Sequence, residues 1–257
     1  MEQRRIVLNQ QLVNYYYWKP KQPSPQTIIF LHGWRSSALV WKPVIERVSE
    51  QTNFQIYALD FSGFGQSELP KRTFTLLDYS NLLKDFIQKL DLRNVCLVGH
   101  SFGGRVAIKL ASVNRDFPSK LVLVDSAGFK IRSTRNRIFR VLAKIVKPVF
   151  RLPGLRGFRA KIYQSLGAED YVATPQTRET FVNIVNEDLT ALLPLIRQET
   201  LIFWGENDTV TPLMFALVFK ENIKNSQLIT IADAGHFCFL DQTEKFTAYL
   251  VKFLNQS

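Results

Sequence analysis

The segment Gly99, His100, Ser101, Phe102, Gly103 sets a serine between glycines, directly after the apolar run Val95 to Val98 and before the helical stretch Arg105 to Ala111. That spacing and that position suit a nucleophile elbow, in which a sharp strand-to-helix turn thrusts a hydroxyl out of a sheet. Such a turn holds the serine backbone in a strained conformation, and the strand and helix pass so close together that small neighbours are needed. Gly99, Gly103 and Gly104 supply the room. No lysine follows Gly104, so the turn lacks the residue that a P-loop phosphate cradle requires.

A serine hydroxyl is a weak nucleophile near neutral pH and needs a base, and the base needs a third group to fix its tautomer. The chain has three histidines: His32, His100 and His236. His100 adjoins the serine, with its ring expected to point away from the hydroxyl. His32 lies far upstream and is expected to hold its own loop by side-chain hydrogen bonds. His236 remains as the base, in the short segment Ala234, Gly235, His236, Phe237 after a strand that ends at Ile231. For the acid, Asp208 stands in the turn Trp204 to Asp208, directly after a strand and upstream of Pro212. Its plain alternative duty is to cap the helix after Pro212, and Glu206 and Asp125 are the rival carboxylates. An oxyanion forming on the substrate needs two backbone N–H donors. Phe102, next after the serine, and Trp34, in the turn Leu31, His32, Gly33, Trp34, are expected to provide them.

These groups must be carried to one place by the elements between them. From Thr27 onward, apolar runs suited to buried parallel strands alternate with amphipathic helical stretches, the pattern of a wound α/β sheet. Strands are expected at Thr27–Leu31, Ile56–Asp60, Val95–Val98, Leu121–Asp125, Thr200–Trp204 and Leu228–Ile231. Helices are expected at about Leu39–Ser49, from a Thr75/Asp78 capping box to Leu90, at Arg105–Ala111 and at about Glu244–Leu254. Residues Ile6 to Trp18 suit an antiparallel hairpin. Between Ala127 and about Leu193 the strand rhythm stops and helical signals take over, which predicts a core domain of 1–126 and 194–257 with a helical cap inserted at 127–193.

The formal charge of +11 invites a nucleic-acid reading, but eleven of the 33 basic residues fall between Lys130 and Lys161 with no acidic residue among them, which leaves the rest of the chain balanced. No nucleic-acid-reading motif accompanies this stretch, so nucleic acid is not expected as a partner. Over 134–151 the basic residues oppose an apolar face that either packs on the sheet domain or lies against an anionic membrane. The two cysteines, Cys96 and Cys238, are too few for a disulfide framework or a zinc site and read as buried small apolar residues. With no secretion signal and no long apolar run, a cytoplasmic protein is expected.

Taken in order, the His32–Gly33–Trp34 turn, Asp60 to Ser67 (DFSGFGQS), the GHSFGG elbow, WGEND and AGHF resemble the capped α/β-hydrolase superfamily over nearly the whole chain. The resemblance implies a mostly parallel central sheet flanked by helices, a helical cap and a Ser–Asp–His order of triad residues, with no metal and no cofactor for its hydrolytic members. Ser101 argues against the epoxide hydrolase and haloalkane dehalogenase branches, which use aspartate as nucleophile. An ester or related acyl bond in an apolar small molecule is the expected target. C–C hydrolases of the meta-cleavage type and haloperoxidase-like enzymes share the same triad, and a non-catalytic small-molecule receptor on this fold is the alternative of another class.

Overall fold

The computed structural model describes residues 1–114, 116–129 and 178–256. Most of the expected cap, including the basic stretch 134–151, lies outside the described residues. Among the described residues, eight strands form one sheet in the order β1-β2-β4-β3-β5-β6-β7-β8. They are β1 (Glu2–Leu8), β2 (Gln11–Trp18), β3 (Thr27–Leu31), β4 (Gln55–Leu59), β5 (Val95–His100), β6 (Lys120–Val124), β7 (Glu199–Gly205) and β8 (Ser226–Ile231). The N-terminal hairpin is antiparallel and joins β4 antiparallel, whereas β4, β3, β5, β6, β7 and β8 run parallel. The hairpin begins earlier than its apolar residues suggest, because Glu2 to Arg5 pair with Asn14 to Tyr17 at the sheet edge, where charged side chains are tolerated.

Between the strands run α1 (Lys42–Gln51), α2 (Leu76–Lys89) and α3 (Phe102–Val113). Beyond residue 177 come α4 (Arg178–Asn186), which falls within the range expected for the cap, then α5 (Met214–Asn222), the one-turn α6 (Cys238–Asp241) and α7 (Thr243–Leu254). The start expected for α1 near Leu39 is a separate 3₁₀ turn over Ala38–Trp41, and α1 proper starts at Lys42 with Pro43 in its first turn, where a missing N–H costs nothing. At the start of α2 the capping box is complete: Thr75 Oγ1 accepts from the Asp78 N–H, and the Asp78 carboxylate accepts from the Thr75 N–H.

Alternation along the strands divides the core in two. Ile28 and Phe30 face one side with Trp41, Val44, Ile45, Phe246 and Leu250, and Ile29 and Leu31 face the other with Tyr79, Phe86, Val106 and Leu110. Full burial of each such side chain stabilises the fold by roughly 1.5–3 kcal/mol. Ile184, Leu189 and Leu193, within the range expected for the cap, join the second of these layers. The parallel strands all point their carboxyl ends at one edge, and β3 and β5 flank the place where strand order reverses, which is where α/β sheets bind ligands.

Candidate active site

Ser101 sits between the end of β5 and the start of α3, with φ of 50° and ψ of −109°. A non-glycine residue in that region costs about 1–3 kcal/mol, and the surroundings hold it there. The Ser101 N–H donates to Val124 O at 3.0 Å and its carbonyl accepts from the Ala127 N–H at 3.2 Å, which bolts the turn to the end of β6. Glycine is obligatory at two neighbours. A Cβ on Gly99 would stand 2.7 Å from the Gly103 backbone, and one on Gly103 would run into the Leu31 carbonyl.

His236 reaches the site on the loop between β8 and α6. Its Nε2 lies 3.1 Å from Ser101 Oγ, and its Nδ1 lies 2.8 Å from Asp208 Oδ2. A carboxylate only accepts, so Nδ1 carries the proton and the Nε2 lone pair is turned to the serine hydroxyl. The Asp208 side chain is fully buried, while His236 keeps 14% of its side chain exposed. Burial alone would raise the Asp208 pKa, but the hydrogen bonds from His236 and Thr211 outweigh it and hold the carboxyl below its ordinary value, so it is ionised. Its other oxygen accepts the N–H groups of Val210 at 2.7 Å and Thr211 at 2.9 Å. It therefore does not cap α5, which starts at Met214 without a side-chain cap. Glu206 is turned away and accepts from Thr230 Oγ1 at 2.9 Å.

Asp125 does not pair with the imidazole either. Its oxygens accept the Gly205 N–H at 2.9 Å and the Cys238 N–H at 3.1 Å. Thr211, which sequence reasoning passed over, touches both sides of the His–Asp pair: its hydroxyl lies 2.6 Å from Asp208 Oδ2 and 3.2 Å from His236 Nδ1. Its only sequence signal is its place three residues after the aspartate, the spacing of a side chain that caps its own turn.

The other two histidines work on the backbone. Burial lowers the His100 pKa to about 3, so its ring is neutral, and Nε2–H donates to the His236 carbonyl at 2.7 Å. The imidazole of the pair is thus held at its main chain by the residue before the serine. His32 is also kept neutral by burial; its Nδ1–H donates to Gly33 O at 2.7 Å and its Nε2 accepts the Phe61 N–H at 3.1 Å. This ties the turn after β3 to the end of β4. Gly33 lies against the elbow, where an added Cβ would stand 2.8 Å from His100 Nδ1 and 3.5 Å from Ser101 Cβ. Trp34 follows, with its ring edge-on to that of Phe102 at 5.3 Å, and Phe64 and Phe181 pack on the same indole at 4.7 and 5.2 Å. Phe102 is the first residue of α3, whose amino end directs backbone N–H groups and the positive end of its dipole toward the serine.

A family model described as the alpha/beta hydrolase family matches residues 28–248. The chain belongs to that family. This alpha/beta hydrolase is similar in structure to an esterase from Exiguobacterium antarcticum, with a TM-score of 0.77 and 27% identity over 98% of this chain and 99% of that one. In sequence it is 27% identical to the pimeloyl-(acyl-carrier protein) methyl ester esterase of Nitrosomonas europaea, over 86% of this chain and 92% of the relative. It is also 26% identical to a 2-hydroxy-6-oxononadienedioate/2-hydroxy-6-oxononatrienedioate hydrolase of Pseudomonas putida, over 89% of this chain and 88% of the relative. Among the described residues of this hydrolase, no helix is long and apolar enough to cross a membrane.

Proposed function

We propose that the protein is a serine hydrolase that cleaves a carboxylic ester of an apolar acyl group. The observation that carries this reading is the unbroken chain from Ser101 Oγ through His236 to Asp208, at 3.1 and 2.8 Å. Esterases among its relatives support the ester as the bond cleaved. The apolar acyl group is suggested by the cluster of Phe64, Phe102 and Phe181 rings on the Trp34 indole, which joins the turn after β3 to the residue that follows the serine.

In this reaction Ser101 Oγ attacks the acyl carbon while His236 Nε2 takes its proton, and ionised Asp208 stabilises the imidazolium that forms. The N–H groups of Trp34 and Phe102 receive the oxyanion, each contributing about 2.7–4 kcal/mol to the transition state. Collapse expels the alcohol, which takes the proton from His236, and leaves an acyl group on Ser101. Water then attacks the acyl-enzyme, with His236 again as base, and the acid departs.

A panel of p-nitrophenyl esters of increasing chain length, read alongside fluorophosphonate labelling, tests the proposal. The wild type is expected to turn over and to be labelled at Ser101, and Ser101→Ala is expected to lose the label and on the order of 10⁴-fold or more of the rate. Hydrolysis of a 2-hydroxy-6-oxodienoate with no ester turnover would move the reading to C–C cleavage. Saturable ester binding without turnover or label would make the protein a receptor. The excess of basic residues at 130–161 adds a second expectation, sedimentation with anionic but not neutral vesicles that weakens at high salt.

A further inference from the structure

Asp125 is a buried carboxylate at the same sheet edge to which the mechanism above gives no role. Asp125 follows the last residue of β6 and has no exposed surface. Its φ of 43° is left-handed, a conformation an aspartate adopts at some cost. Burial drives its pKa up to about 6, so the ionised form is held there against its solvation.

What the carboxylate does contact is informative. Oδ1 accepts the N–H of Gly205, from which the turn to Asp208 departs, and Oδ2 accepts the N–H of Cys238, two residues beyond His236. The main-chain oxygen of the same residue lies 3.0 Å from the hydroxyl of Thr211, whose one proton it shares with the nearer Asp208 Oδ2 at 2.6 Å, and that hydroxyl also lies 3.2 Å from His236 Nδ1. Gly205 and the histidine loop are in close contact as well, since a Cβ on Gly205 would collide with the Gly235 carbonyl. One residue therefore grips the acid turn and the histidine loop by different atoms, and both grips end within a few residues of the reacting groups.

We propose that Asp125 is a positioning residue, a carboxylate clasp that holds the Asp208 turn and the His236 loop in register so that the imidazole stays aligned between serine and acid. The inference rests on the serine-hydrolase reading above. Asparagine has the same shape, but it offers one accepting oxygen and sets an NH₂ group against the other N–H, so it opens one arm of the clasp.

The test is Asp125→Asn, assayed with the best p-nitrophenyl ester and normalised to sites titrated by fluorophosphonate. A misplacement of about 1 Å costs on the order of 10²-fold, so kcat per titrated site is expected to fall about 10- to 100-fold, with KM within about threefold because Asp125 touches no substrate. A second readout needs no turnover. The Nδ1–H proton of His236, held against Asp208, is expected as a low-field resonance in the wild type, absent in Asp208→Asn and broadened by exchange in Asp125→Asn. Unchanged kcat per titrated site together with an unchanged resonance would overturn the clasp, and activity loss explained wholly by fewer titratable sites would reduce it to a folding role. If Asp125→Asn does not fold, Cys238→Pro removes the N–H of the second arm at the first position of α6, where proline is tolerated, and is judged by the same two readouts. A wild type that shows the resonance but hydrolyses no ester would sink the esterase reading and leave the clasp to the spectroscopic measurement.

Discussion

Two aspartates stand at the ends of neighbouring parallel strands, Asp125 after β6 and Asp208 in the turn after β7, and their pKa values are shifted in opposite directions. Both are buried. Asp208 faces an imidazole N–H, a hydroxyl and two backbone N–H groups, enough to favour its charge despite desolvation. Asp125 has two backbone N–H groups, and desolvation prevails. The comparison teaches that a carboxylate at this edge of the sheet is assigned by the donors around it rather than by its distance along the chain from serine or histidine. It also separates a group suited to stabilising an imidazolium from one suited to holding loops.

The largest expected effect breaks the pair from the catalytic side. Asp208→Asn offers no full charge and is expected to favour the wrong His236 tautomer, lowering kcat by about 10⁴-fold with an unchanged circular dichroism spectrum. Normal activity would return the acid to Asp125 or Glu206. Next comes the opposite tilt of stability with pH. The folded-state pKa of Asp125 lies above that of the unfolded chain, so its contribution falls as pH rises from about 4 through 6, by on the order of 3 kcal/mol. His32 and His100, whose pKa values burial lowers, lose stability in the other direction, as pH falls below the ordinary histidine value. Urea midpoints of wild type and Asp125→Asn across pH 4–7 isolate the carboxylate, because both proteins share the histidines. The expected result is that stability relative to the mutant declines with rising pH in the wild type, and parallel curves would contradict the raised pKa.

A smaller effect sharpens the donor argument. Thr211→Val removes one hydroxyl from Asp208 and leaves its bond to His236, which is expected to lower kcat roughly tenfold, in line with about 1.5 kcal/mol for a hydrogen bond to a charged group. The smallest effect comes from a third carboxylate far from the chemistry. Asp78, drawn down to about 2 against its burial by hydrogen bonds from Arg72 and Thr75, contributes stability that is lost as pH falls from about 4 to 2. Thr75→Ala is expected to cost about 1 kcal/mol in urea denaturation and to leave kcat unchanged.

Local signals made much of the framework readable. Ser101 announces itself because a strained turn between strand and helix tolerates few residues other than glycine at positions 99 and 103, and both contacts are with backbone. The inner parallel strands were legible as short apolar runs because they are buried on both faces, as in β3, whose five residues are all buried, whereas the edge strand β8 is buried only in part. Ends were less legible. β5 continues through His100, and α3 begins at Phe102 rather than Arg105, because the elbow glycines read as helix breakers until the packed turn shows them inside the first helical turn. His100 illustrates the limit of local reading: that its ring avoids the hydroxyl was expected from the turn, but its bond to the His236 carbonyl joins residues 136 apart and has no pattern in the chain.

Residue types and order along the chain thus determined which groups were available, a serine on a glycine-flanked turn, one histidine free of other duties, and carboxylates at strand ends, because turn sterics and side-chain periodicity act over a few residues. Which carboxylate meets the imidazole was decided only in three dimensions. Asp125 and Asp208 follow adjacent strands of one sheet, and whether an imidazole or a backbone N–H faces each depends on the packing of a loop whose His236 lies 28 residues after Asp208 and whose far end, Cys238, lies 113 after Asp125.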